Sequence, residues 1–358
     1  MTITPSTPDY RDRVIGCLLG GAIGDALGKP VEFASWPHIK SAYGAAGIGQ
    51  IPPPGHITDD TQMTLFTAEA LTRAVTLGLD AADEVAAGYM RWLDTQTMRE
   101  AGSLETASAT TADHRKGWLR EQDWLYACRA PGGTCMSGLH ALARNGPPEP
   151  QLFHRPGPIN ATSKGCGTVM RSAPFGLAGT YILSGRASLM THGHPTATWS
   201  AVALAQMISG LVLGQSLSEA VNATRAYLAD QESAHELTAV LDQAVTLAQA
   251  DASSPAVVEA LGGGWVAEEA LAIAVYAVLA TSRQATSPAE HVRAALVTSV
   301  NHSGDSDSTG AITGNVIGAF YGFAGVPADL AGAEEHHDVI TRVAAEFAAA
   351  YEPHRPTS

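Results

Sequence analysis

Aromatic residues are scarce in this chain: Phe, Trp and Tyr make up 6% of 358 residues. Sheets draw on β-branched and aromatic side chains, so this scarcity, beside abundant alanine and 36 glycines, argues for closely packed helices over a β-sandwich. No run alternates with period two, the pattern of a half-buried strand. Cysteine is sparse, with only Cys17, Cys128, Cys135 and Cys166, and no CxxC pair. That spacing argues against a zinc ribbon or a thioredoxin-type motif. Positive charge is in deficit: 21 Lys and Arg face 35 Asp and Glu, for a formal charge of −14. With no Lys/Arg run, nucleic acid is not expected as a bound partner. P-loop and GxGxxG fingerprints are missing. The first residues, MTITPSTPDYRDRV, contain no apolar core of a signal peptide, and the most apolar stretch, Thr309–Gly325, is short for a bilayer span. The expectation is a cytoplasmic protein with reduced thiols and no membrane partner.

The chain is 45% hydrophobic, enough for a sizeable core. Gly16, Gly20, Gly24 and Gly28 are spaced by four, and Gly310, Gly314, Gly318 and Gly322 repeat the device. Spacing of four places each set on one helical face. Glycine in a helix costs about 1 kcal/mol relative to alanine, so eight such sites require a compensating reason. Close approach of two helices in a buried centre is that reason; the membrane version of the pattern is disfavoured by bordering charged residues. Residues 59–77 form an amphipathic helix, with Met63, Phe66, Thr67, Ala70, Leu71, Ala74 and Leu77 at helical spacing. Thr58 is its N-cap, and Asp59 and Asp60 suit the positive end of the helix dipole. Further helices are predicted near 81–93, 134–144, 197–213, 216–228, 232–250, 266–280, 287–298, 309–322 and 336–350, with loops at 44–56, 145–162 and 251–264. Short proline-rich loops and no long linker give one all-α domain over residues 1–358, with its core at about 11–325.

Two clusters carry chemistry. Thr58-Asp59-Asp60-Thr61 and Ser303-Gly304-Asp305-Ser306-Asp307-Ser308-Thr309 are both polar loops entering helices. A helix cap needs one oxygen acceptor, whereas each cluster offers two acids plus hydroxyls. Buried adjacent carboxylates repel, and without a cation at least one must hold a proton. Oxygen-only donors point to Mg²⁺, Mn²⁺ or Ca²⁺ rather than zinc. Glu32 with Asp59, Asp60, Asp305 and Asp307 makes five negative charges, nearly cancelled by two divalent cations. Asp305-Ser306-Asp307 has the outline of a haloacid-dehalogenase nucleophile, but no apolar strand precedes it. An EF-hand would need acids at alternate positions and a terminal Glu, which is missing. Cys166 with His192 and His194 is conceivable as a nucleophile pair, with packing or loop geometry the favoured account of Cys166.

Five segments in order carry a family resemblance. They are Gly24-Asp25-Ala26-Leu27-Gly28 followed by Glu32, the Thr58–Thr61 cluster, Gly165-Cys166-Gly167-Thr168-Val169-Met170-Arg171, Thr191-His192-Gly193-His194-Pro195, and Gly304-Asp305-Ser306-Asp307-Ser308. Together they resemble the ADP-ribosylglycohydrolase family across about residues 11–325. Arg129-Ala130-Pro131-Gly132-Gly133, the Gly-Cys-Gly loop and the Asp-Ser-Asp-Ser run are most similar to the ADP-ribosylarginine hydrolase branch. The resemblance implies a compact orthogonal helical bundle with two divalent cations, Mg²⁺ or Mn²⁺, at the base of an ADP-ribose cleft. It implies metal ligation by Thr58, Asp59, Asp60, Asp305, Asp307 and Ser308, and catalytic roles for Glu32, Asp59 and Asp60. Ser163, Lys164, Gly165, Cys166, Gly167, Thr168 and Met170 match the loop that wraps the diphosphate and ribose, and His192 a ligand-side position in the helix that follows. Lys164 stands where relatives carry an adenine-stacking aromatic, so it is expected on the diphosphate, with Trp265 either a substitute stacker or a core residue. The implied substrate is an ADP-ribosylated protein or small conjugate, with arginine as acceptor; O-linked ADP-ribose, modified nucleic acid and a non-catalytic ADP-ribose binder are the alternatives.

Overall fold

A computed structural model describes residues 8–98, 116–250 and 254–352. Among these residues there are fifteen α-helices and no strand, only an isolated bridge between Gly165 and Val266. The helices are α1 (Tyr10–Gly28), α2 (Trp36–Tyr43), α3 (Asp59–Leu77), α4 (Ala81–Thr97), α5 (Gly133–Asn145), α6 (Ala173–Leu177), α7 (Tyr181–Ser188), α8 (Pro195–Val212), α9 (Leu217–Ala229), α10 (His235–Ala248), α11 (Pro255–Glu259), α12 (Ala267–Thr281), α13 (Pro288–Val300), α14 (Ser306–Tyr321) and α15 (His337–Tyr351).

The centre is the pair α1 and α14, which share the most extensive helix contact in the molecule. The two glycine rows interlock there. A Cβ on Gly24 would stand 2.0 Å from the Gly310 carbonyl oxygen, and one on Gly20 would stand 2.4 Å from that of Gly314. Backbones this close leave no room for a methyl group, which accounts for glycine where alanine makes the better helix. Among the described residues Tyr10–Val31 has the length and hydropathy of a membrane span, but 83% of its apolar window is buried within the protein. Helices α3, α13, α12 and α15 pack around this pair. Trp92, Tyr89, Phe66, Phe175 and Phe347 fill the core, each worth about 1.5–3 kcal/mol of burial.

The fold departs from expectation in three places. Helix α3 has no solvent face over its first three turns, because Gln62, Thr64, Thr67 and Glu69 are buried as well. Polar partners on α4 and the loops take up that face: the Gln62 side chain, for example, accepts from Trp92 Nε1 at 3.2 Å. The loop expected at 251–264 contains α11. Helices α2, α6 and α7 went unpredicted, since five to eight residues are too few to display a helical period.

Candidate active site

Gly28, at the end of α1, explains why acids from both ends of the chain meet. A Cβ there would stand 2.2 Å from the Ser306 carbonyl, so the start of α14 lies directly against the end of α1. Glu32 follows four residues later, and its carboxylate lies with those of Asp305 and Asp307 in a cluster whose ligand oxygens are all within 4.8 Å of one another. Asp305 caps α14, accepting from the Ser308 N–H at 3.4 Å, and Asp307 lies in the first turn and accepts from the same N–H at 2.9 Å. Thr58 caps α3, accepting from the Asp60 N–H at 3.3 Å, so Asp59 and Asp60 open that helix.

Asp25 holds the α3 corner in place. Fully buried on α1, its carboxylate accepts from the Thr58 N–H at 2.9 Å, the Thr61 N–H at 3.2 Å and the Thr61 hydroxyl at 2.5 Å. The segment around Asp25 carries part of the family resemblance, but no role was expected of Asp25 itself. The available signal was an ionisable side chain on an otherwise apolar, glycine-lined helix.

The electrostatics are lopsided. Among the described residues no Lys or Arg lines the cavity of about 340 Å³ into which Glu32, Asp59, Asp60, Asp305 and Asp307 project. Burial, then the charge of Asp307, pushes the Asp25 carboxyl up to about 7 and that of Glu32 up to about 9. Burial first and Asp307 second also hold Asp59, Asp60 and Asp305 well above the usual carboxylate range. Asp60 Oδ1 is buried with no hydrogen-bond partner among the described residues. An orphaned carboxylate oxygen inside an all-oxygen cluster fits a hard divalent cation, which would supply both the missing ligand contact and the missing charge. Glu32, Asp305 and Asp307 are the group best placed to hold one.

Cys166 does not stand as a nucleophile. Its thiol donates to Asp305 Oδ2 at 2.9 Å, and burial and then Asp305 push its pKa well up, so it stays protonated. His192 is not in a helix; it sits in the turn before α8, buried, with Nδ1 2.8 Å from the Thr191 hydroxyl. Burial, then Arg171, pushes it down to about 3, so it is neutral. It supports Gly165 and Gly167 from beneath: a Cβ on either would lie within 3.2 Å of its ring.

Of the other sequence-derived positions, Gly165, Cys166, Gly167, Met170, His192, Trp265 and Ser308 line the cavity. Lys164 does not: it pairs with Glu236 and Glu268 on α10 and α12, which corrects its expected place on a diphosphate. The α10 and α12 acids win because they are fixed at hydrogen-bond range behind the loop. Ser163 faces the Thr134 hydroxyl at 3.0 Å, and the Thr168 hydroxyl donates to the Ala197 carbonyl at 3.1 Å, so neither side chain lines the cavity. Residues without an expected role do line it: Phe33 and the segment from Ala130 to Cys135. That segment docks on α3 through the Asp59 N–H, which donates to the Arg129 carbonyl at 3.3 Å. Its signal in the sequence was a Gly-Gly pair opening a helix with no side-chain cap.

Comparison with known proteins gives the family and the fold. The family model described as ADP-ribosylglycohydrolase matches residues 6–357. The ADP-ribosyl-[dinitrogen reductase] glycohydrolase of Rhodospirillum rubrum is 26% identical over 334 residues, covering 89% of each chain. The ADP-ribosylarginine hydrolase Tri1 of Serratia proteamaculans is 24% identical over 318 residues, covering 88% of this chain and 73% of that protein. A solved structure described as an ADP-ribosylglycohydrolase-related protein complex shares the fold, with a TM-score of 0.59 at 23% identity over 96% of this chain and 99% of its own.

Proposed function

We propose, for a chain that belongs to the ADP-ribosylglycohydrolase family, that it is a metal-dependent hydrolase of the N-glycosidic bond between ADP-ribose and a modified arginine. The observation that carries this reading is the meeting of Glu32, Asp59, Asp60, Asp305 and Asp307 in one cavity that no Lys or Arg among the described residues lines. Two cations, Mg²⁺ or Mn²⁺, held by Thr58, Asp59 and Asp60 on one side and Asp305, Asp307 and Ser308 on the other, would supply Lewis acidity and orient the ribose hydroxyls.

The remaining work falls to side chains. Cleavage builds oxocarbenium character at ribose C1″. Water adds its oxygen to C1″ as the C1″–N bond breaks. With cations bound to offset the burial and the neighbouring acids that push its carboxyl up, Glu32, less buried than the aspartates, would take the water proton and pass it to the departing guanidino nitrogen. Asp59 and Asp60 are the alternative proton carriers. The Gly165–Gly167 loop, backed by His192, brings backbone close to the ligand where larger residues would intrude.

The test is release of ADP-ribose from ADP-ribosylarginine and from ADP-ribosylserine, with and without Mg²⁺ or Mn²⁺. Metal-dependent release favouring the arginine conjugate supports the reading. Faster release from serine moves the assignment to O-linked substrates, and ADP-ribose binding without turnover of either replaces it with a non-catalytic binder.

A further inference from the structure

Beside the acids stand two large, exposed rings. Phe33 is 70% exposed and Trp265 42%, both line the cavity, and their rings stack with centroids 5.0 Å apart at 25°. Phe33 is held at φ +62, a left-handed conformation that a bulky residue rarely adopts. Burial does not offset that strain. Cross-loop hydrogen bonds hold the segment instead: the Phe33 N–H donates to the Gly304 carbonyl at 3.3 Å, and the Trp36 N–H to Ser303 Oγ at 2.8 Å. A strained backbone that presents an uncovered ring at a cavity mouth is a feature of ligand contact.

The position of the pair decides which part of a ligand it meets. Phe33 directly follows Glu32, and consecutive Cα atoms are about 3.8 Å apart. Trp265 follows Gly264, where a Cβ would stand 3.4 Å from the Asp305 Cβ, and the Asp305 N–H donates to the Gly263 carbonyl at 2.8 Å. Both rings therefore border the carboxylates where C1″ must react. In ADP-ribose the adenine is separated from C1″ by two riboses and a diphosphate, whereas the acceptor side chain is attached to C1″ itself. We infer that the Phe33–Trp265 pair is a platform for the acceptor's guanidinium and not a seat for adenine, an inference that rests on the reading of the site as an ADP-ribosyl hydrolase. A planar, weakly hydrated guanidinium stacks well on aromatic faces. A serine acceptor offers neither the plane nor the charge, so the pair selects N-linked arginine conjugates.

The test replaces each ring by an aliphatic residue, Phe33→Leu and Trp265→Leu, with Phe33→Tyr as the rescue. The ratio of kcat/KM for ADP-ribosylarginine over ADP-ribosylserine is expected to fall about tenfold in the Leu variants and to return in Phe33→Tyr. The Kd for ADP-ribose, measured by calorimetry, should stay within about twofold, while agmatine should quench wild-type tryptophan fluorescence saturably and Trp265→Leu should lose that response. A large loss of ADP-ribose affinity would put adenine on the rings and overturn the inference, as would an unchanged ratio. If the wild type hydrolyses neither conjugate, the proposed function fails; saturable agmatine quenching would then still support the platform, and no quenching would remove it.

Discussion

One helix carries two kinds of buried charge. In its third turn, α3 presents Glu69, which accepts from Arg91 Nε at 3.0 Å and from the Leu119 N–H at 3.0 Å. Arg91, fully buried, also meets Glu84 at 3.0 Å, and Glu84 meets Arg73 at 2.7 Å. Two carboxylates face two guanidiniums, and burial still holds the Glu69 carboxyl above its ordinary value against the pull of Arg91. At the first turn of the same helix, Asp59 and Asp60 face Asp305, Asp307 and Glu32 with no cationic side chain among the described residues that line the cavity. The chain can bury acids in a neutral network and does so on α3; at the helix start no described side chain balances them. That separates a structural ion network from a binding site more sharply than acidity alone.

Breaking the unbalanced side should have the largest effect. Asp59→Ala or Asp307→Ala is expected to abolish stoichiometric Mn²⁺ binding, read by calorimetry or spin-label-free EPR, and to lower kcat/KM by about 10³-fold or more. Full activity with the metal lost would refute the mechanism. On the balanced side, Arg91→Met leaves Glu69 and Glu84 buried short of a partner and should lower unfolding stability by about 3–5 kcal/mol, while the Glu69→Gln/Arg91→Met pair recovers much of it. Urea unfolding measures both; a comparable loss of Mn²⁺ affinity in the folded variants would erase the distinction between the two regions.

Acidity sharpens the comparison next. The folded metal-free protein holds Asp25 up to about 7 and Glu32 up to about 9, against roughly 4 for unfolded carboxyls. The folded state therefore binds extra protons, and the stability these groups provide is fully present below about pH 4 and is lost as pH rises through 7 and 9. His192 and His302, pushed down to about 3 and about 4, act oppositely, but only below their unfolded value of about 6.5. Between about pH 6.5 and 9 the melting temperature in EDTA should fall with rising pH, and saturating Mn²⁺ should flatten that slope. A rising slope in EDTA would contradict the charge imbalance. The smallest effect belongs to Asp25→Asn, whose amide turns a donor toward the Thr58 and Thr61 N–H groups; Mn²⁺ affinity should weaken about 10–100-fold with the fold retained, as seen by calorimetry alongside circular dichroism.

The long elements were legible from apolar periodicity, as in α9, α12 and α13, and in α3 from periodicity together with the Thr58 cap. The interlocked glycine rows were legible from spacing, and the meeting of the two acidic corners was implied by the family resemblance. The direction of individual side chains was not. Lys164 turns from the cavity because Glu236 and Glu268 sit behind it, and those helices are over 70 residues away in sequence. Asp25 and Phe33 escaped for the same reason, since their roles depend on Thr58, Thr61 and Gly304 across the fold.

Because Gly16 to Gly28 must mesh with Gly310 to Gly322, the first and last thirds of the polypeptide have to find each other before any pocket exists. Such distant pairing is slow, as the entropy of closing a long loop precedes its reward. A nascent chain still short of α14 could carry Asp59 and Asp60 but no complete cation cage. Metal capture would then favour the finished thread over every partial one, so the ion that serves chemistry would also act as a late clasp on synthesis.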